Sequence, residues 1–332
     1  MNRMLDILIL TALPSSGKSE VLRYLGTVPP DVLRRDFHLG GTVHLDDAPY
    51  VYLMRRIDQF LEAAGRPRLF FPSAERAFRD PREWGTLIEL LNEDFEFLET
   101  MDIPAPPSAA YYYLQRLDEA RVRAGLDADL SKLNSRARAK VAAALEPEAA
   151  HFLAELRRAA STPLEGKTLV IEIARGGPEG SRMPLVPPHG YAAALSRFSK
   201  KIIRRAAVLY IWVTPEQSRR RNAERAASYD GAQLGPFVPN EVMRQDFGCD
   251  DIDWLLSISE TPDRIRVTSK EGTFVVPLVR FDNRSDRTSF LLEDPSAWNE
   301  EKKANLHASL RSVFDRLGSL VDSKAGSSSQ SS

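Results

Sequence analysis

Lys18 and Ser19, directly behind Gly17, are the residues whose type and spacing point most clearly to chemistry. They sit in "ALPSSGKSE", Ala12 to Glu20, which follows the apolar run "MLDILILT". A spacing of Gly, four residues and Gly-Lys-Ser/Thr lets a loop wrap phosphate groups in backbone amides. Here Gly17, Lys18 and Ser19 fill the fixed places, and Ala12 stands where the first Gly would be. Pro14, Ser15, Ser16 and Gly17 then form the wrapping segment, and Gly17 supplies the unusual dihedrals it needs. A helix starting with Lys18, Ser19 and Glu20 presents its positive end to the anion. Lys18 can reach β- and γ-phosphates as a point charge, and the Ser19 hydroxyl can ligate Mg²⁺.

Further charged residues stand at the ends of apolar runs. "LVIE" ends in Glu172, with Arg175 three residues later in "EIARGG". A carboxylate there can hold Mg²⁺ or accept a proton from a hydroxyl, and Arg175 can clamp an oxyanion. Asp46 and Asp47 follow "GTVHL"; they either orient an attacking hydroxyl or cap the next helix. Tyr50, Arg55 and Arg56 are near enough in sequence to share that pocket. In "SRRRNAERA", Arg221 and Arg225 are four apart on one helical face and can neutralise a transferring phosphoryl group. The segment after them, "YDGAQLGPFVP", has the composition of a mobile loop. Asn283, in "RFDN", either meets a nucleobase or closes a turn. Cys249 with Asp250, Asp251 and Asp253 matches no defensible metal spacing and reads as an acidic helix start. The five histidines form no catalytic signature.

Positioning these groups requires strands that end beside one another. Apolar runs at Leu5–Thr11, 41–45, 167–174 and 206–214 read as strands, the longer ones buried on both faces. "RIRVTS" and "TFVVPLVRFDN" add two later strands. Helical spacing marks 18–25, 52–64, 215–228 and 306–321. Between about 68 and 162 only helical patterns occur. Strands alternating with helices predict a doubly wound parallel α/β sheet carrying a helical insertion. The expected division is a core of 1–65 and 163–322, an insertion of 66–162 that meets an acceptor or a partner, and a disordered Ser-rich tail of 323–332.

Composition narrows the classes. Of 332 residues, 43% are hydrophobic and 27% charged, as in a globular protein. A net charge of −1 gives no bulk attraction to nucleic acid or an anionic membrane, so neither is expected as a partner. One cysteine precludes an internal disulfide and suits a reducing, cytoplasmic setting. No run reaches the roughly 18 apolar residues of a membrane span.

Taken together, "ALPSSGKS", "HLDD", "LVIEIARGG", "IWVTPEQSRRRNAER" and "VVPLVRFDN" resemble the P-loop kinases of the nucleoside, nucleotide and small-metabolite group. The resemblance covers 1–65 and 165–290. It implies a parallel sheet of about five strands and an ATP- and Mg²⁺-dependent phosphotransferase. Pro14 to Glu20 and Asn283 would bind the nucleotide, with Ser19 and Glu172 at the metal. Lys18, Asp46, Glu172, Arg175, Arg221 and Arg225 would carry catalysis. The acceptor, a small hydroxyl or phosphate compound of nucleoside-like or other kind, stays open. The alternative expectation is a nucleotide-driven ATPase or switch that binds a protein partner through the helical block.

Overall fold

A computed structural model describes residues 4–227 and 237–328. Six strands form one sheet in the order β2-β3-β1-β4-β6-β5. They are β1 (Ile7–Ala12), β2 (Gly41–Asp46), β3 (Lys167–Ile173), β4 (Ala206–Trp212), β5 (Arg264–Ser269) and β6 (Gly272–Asp282). Five run parallel. β5 pairs antiparallel with β6 at the edge, so the fully parallel sheet of the sequence reading is corrected here. The reason is local: only Lys270 and Glu271 separate the two strands, too few residues for a parallel crossover.

Alternation along β1 divides the core. Ile7 and Ile9 join Leu169, Ile171 and Val208 on one face. Leu8 and Leu10 join Val170, Leu209 and Phe281 on the other. The second face is covered by α1 (Lys18–Thr27), α2 (Pro30–Phe37) and α12 (Glu300–Ser328). α2 was not foreseen; Pro30 opens it at the position where a missing N–H costs nothing. α12 starts earlier than its sequence pattern and continues through the start of the Ser-rich tail; residues 329–332 lie outside the described ones.

The first face is covered by α4 (Glu83–Thr100), α7 (Gly190–Arg197), α8 (Lys200–Ile203) and α11 (Ile252–Ser257). α4 is shared between two cores. Its Ile88, Leu91 and Phe95 meet the sheet, while Leu87 and Leu90 join a second cluster with α3 (Ala48–Ala63), α5 (Ala109–Arg123) and α6 (Ser135–Ala159). Two helices remain, α9 (Pro215–Ala227) and α10 (Asn240–Gln245), both beyond the carboxyl edge of β4. Among the described residues no helix is long and apolar enough to cross a membrane.

Candidate active site

The turn between β1 and α1 takes its shape from two left-handed residues, Ser15 at φ 56° and Gly17 at φ 99°. By hydrogen-bond geometry, the amides of Ser15, Gly17 and Lys18 have no acceptor among the described residues. Three unpaired donors at a helix start form a concave site for an anion. The loop is held from behind. Ser16 Oγ donates to Leu13 O at 2.6 Å, and Ser218 Oγ of α9 donates to Pro14 O at 2.6 Å. Asn283 Nδ2 donates to Ser16 O at 2.7 Å and to Thr288 Oγ1 at 2.8 Å. A Cβ at position 17 would lie 2.4 Å from Thr288 Oγ1 and 2.6 Å from Asn283 Nδ2, so space as well as φ demands glycine.

Parallel pairing delivers the carboxylates. Glu172 of β3 is in register with Leu10 of β1 and with Asp46 of β2. Lys18 Nζ lies 3.7 Å from Glu172 Oε2, and His44 Nδ1 lies 3.9 Å from Glu172 Oε1. Asp46 Oδ1 accepts the Ala48 amide at 2.9 Å and so serves the start of α3. Its carboxyl is pushed up to about 6, first by burial, then by Asp47; Lys18 opposes the rise and Glu172 adds to it. Ser19 is exposed at the mouth of the same cleft.

That cleft has a volume of about 1030 Å³. The loop, Asp46, Asp47, Glu172 and Arg225 line one end. Arg55 and Arg56 of α3, and Glu148 of α6, continue the wall. Phe71, Phe78, Trp84, Asp246 and Phe247 complete the lining. None of these last five was singled out from sequence. For Phe71 and Phe78 the signal is an aromatic-rich loop, "RLFFPSAERAF", that fits neither helix nor strand period; Trp84, Asp246 and Phe247 lie outside it.

Other expected residues take different places. Arg175 is 2% exposed and is not among the cleft-lining residues. Its Nη1 lies 2.6 Å from Asp47 Oδ2, and its guanidinium sits 4.7 Å above the Trp84 ring. It therefore supports the wall and fixes Asp47. Arg221 and Arg225 diverge despite their spacing. Arg221 Nη2 donates to Asn283 O at 2.9 Å, behind the loop, whereas Arg225 reaches Glu20 inside the cleft. Asn283 is fully buried, with its side chain committed to the loop backbone, Thr288 and the Arg287 amide. Tyr50 turns to the far side and donates to Asp94 Oδ2. Most of "YDGAQLGPFVP" lies outside the described residues.

The bland readings hold for the acidic stretch. Asp251 accepts the amides of Tyr191 and Ala192 at 2.6 and 3.0 Å, and Asp250 accepts the Tyr210 hydroxyl at 2.6 Å. Among the described residues no group of three or more His, Cys, Asp or Glu converges as a metal site. Comparison with protein-family models, curated proteins and solved structures finds no match.

Proposed function

We propose that the chain is a phosphotransferase that moves the γ-phosphoryl group of ATP to the hydroxyl of a small acceptor. One observation carries this reading: unpaired loop amides, Lys18 and two register-matched carboxylates open into one cleft at the sheet's carboxyl edge. Lys18 is only loosely paired with Glu172, so an incoming phosphate can compete for it. Ser19 and Glu172 would hold Mg²⁺, which supplies charge neutralisation on the phosphates when bound. A site of one hydroxyl, one carboxylate and substrate oxygens suits Mg²⁺, which rarely uses an all-protein cage.

Asp46 is the group that takes the proton. A carboxyl near 6 is better matched to a general base at neutral pH than an ordinary aspartate. As the acceptor oxygen bonds to the γ-phosphorus, the bond to the bridging oxygen breaks, ADP departs, and the hydroxyl proton passes to Asp46. Arg225 stands at the loop end of the cleft, paired with Glu20, and is the arginine placed to meet phosphate charge. Asn283, Ser218 and Arg221 keep the loop in shape. The residues of α3 and α6 that line the cleft favour a small acceptor over a protein docking there.

The test is a metabolite screen for accelerated ATP consumption, followed by mass detection of a product heavier by one phosphoryl group. The expected result is acceptor-dependent consumption. Steady hydrolysis that no metabolite accelerates, or no binding of Mg-ATP in calorimetry, would overturn the reading.

A further inference from the structure

The end of the cleft farthest from the loop in character is aromatic. Phe71 and Phe78 stack at 4.5 Å with their planes 23° apart. Trp84 meets Phe78 edge-on at 5.0 Å and Phe247 at 5.6 Å. Phe71 has Phe78 on one face and Arg55 on the other, and Trp84 carries Arg175 on a face, so this wall meets a guest with ring edges and the remaining apolar surface. That suits an aromatic ring packed edge-to-face and offers few partners to a polyol.

One polar group breaks this wall. Asp246, just after α10, is 4% exposed and lines the cleft. Its Oδ2 has no hydrogen-bond partner among the described residues. A buried oxygen without a donor is rare in folded chains and marks a place where a ligand donor fits. Burial pushes this carboxyl up to about 6; the neighbouring Trp84 side chain, Arg175 and Arg55 act against the rise.

The cations around the cleft decide the charge of the guest. Arg55 donates to Ala74 O at 2.7 Å and lies 4.0 Å from the Phe71 ring. Arg56 is 3.0 Å from Glu148, Lys18 faces Glu172, Arg225 faces Glu20, and Arg175 faces Asp47. Each already has a carboxylate or carbonyl partner. An acidic or phosphorylated acceptor would have to take Arg56, Lys18, Arg225 or Arg175 from its carboxylate; at Arg55, whose partner is a carbonyl, it would meet the nearby Asp246 as well. A cationic acceptor would meet Arg55 and, behind Trp84, Arg175. An uncharged N–H donor suffers neither penalty.

We infer that the Phe71–Phe78–Trp84–Phe247 end of the cleft is the acceptor pocket. It takes an uncharged flat ring whose edge N–H donates to Asp246 Oδ2, with the reacting hydroxyl on an arm directed to Asp46. This rests on the phosphotransferase reading only for the fate of the hydroxyl; the pocket's preference for the ring stands apart from it.

The test uses NMR titration of the full chain, without nucleotide, against four probes: para-aminobenzyl alcohol, benzyl alcohol, sorbitol and benzyl phosphate. The aminated ring should bind about tenfold more tightly than benzyl alcohol, the usual scale of one hydrogen bond to a charged group. Sorbitol and benzyl phosphate should bind more weakly than either. Asp246→Leu should bring the two ring alcohols to equal affinity. Asp246→Asn, which keeps an accepting carbonyl and the side chain's shape, should retain part of the preference. Phe78→Leu should weaken both rings by a similar factor and leave their ratio intact. Equal affinity of the two rings for the wild type would overturn the assignment. So would a preference that survives Asp246→Leu, or sorbitol or benzyl phosphate binding best. Mg-ATP is titrated separately. A chain that shows the ring preference but binds no Mg-ATP would remove the phosphotransferase reading and leave the pocket; the reverse result would remove the pocket alone.

Discussion

Two groups of charge in this molecule are built on opposite plans. Arg116 of α5 is 1% exposed, with Asp94 at 2.7 Å and Glu93 at 3.1 Å. The rings of Tyr50, Phe97, Tyr112 and Tyr113 surround its guanidinium. Lys18 instead touches one carboxylate at 3.7 Å, and its side chain keeps 19% exposure beside amides that have no acceptor among the described residues. The first group spends its charge on its neighbours and holds helices together. The second leaves charge unspent and faces a cleft. How closely opposite charge surrounds a cation, rather than charge itself, separates scaffold from site.

Lys18→Ala probes the open group and carries the largest expected effect. Acceptor-dependent turnover should fall by about a thousandfold or more, while the thermal midpoint stays within about 2 °C of wild type. Steady-state kinetics and a melting curve check both halves; retained turnover would erase the contrast. Arg116→Met probes the closed group in the other direction. It leaves Asp94 and Glu93 buried without their cation and should cost on the order of 3–5 kcal/mol in urea denaturation. A loss below about 1 kcal/mol would show that the helical layer does not depend on this pairing.

The smallest effect sharpens the comparison through pH. The Asp246 carboxyl sits at about 6 in the folded chain against an ordinary 3.8. Between those values the folded state holds a proton that the unfolded state has released. Stability therefore falls as pH rises through this window, and the penalty is complete above it. Asp246→Asn should remove the penalty. The variant should gain on the order of 1–2 kcal/mol at neutral pH and nothing near pH 3, where both states of the wild type are protonated. Urea midpoints of both proteins across pH test this; a gain independent of pH would assign the effect to packing.

Much of the framework was legible because central parallel strands are buried on both faces. β1, β3 and β4 read as unbroken apolar runs, and the residues at their carboxyl ends could be placed beside one another from sequence alone. Glu172 was found that way, Asp46 from the end of the shorter β2 pattern and Lys18 from its spacing behind Gly17, and the structure brings all three to one cleft. The antiparallel β5 was legible as a strand but not in direction, because a two-residue turn had to be weighed against the surrounding crossovers. Arg221 and Arg225 show the limit of periodicity. Helical spacing gives a shared face but not what lies opposite it; the turn after β6 claims Arg221 and Glu20 claims Arg225. The aromatic wall was illegible for a different reason. Phe71, Phe78, Trp84, Asp246 and Phe247 come from a loop, a helix start and a helix end far apart in the chain, and no local pattern unites them.

α4 belongs to two cores at once, and this limits how the protein can be taken apart or have evolved by accretion. Cutting out the 66–162 block would strip Ile88, Leu91 and Phe95 from the sheet and leave the part of that face not covered by α7, α8 and α11 bare and adhesive. The helical block that lines part of the cleft is thus also a roof for the sheet that carries the β1–α1 loop, and neither half can be borrowed without rebuilding the other.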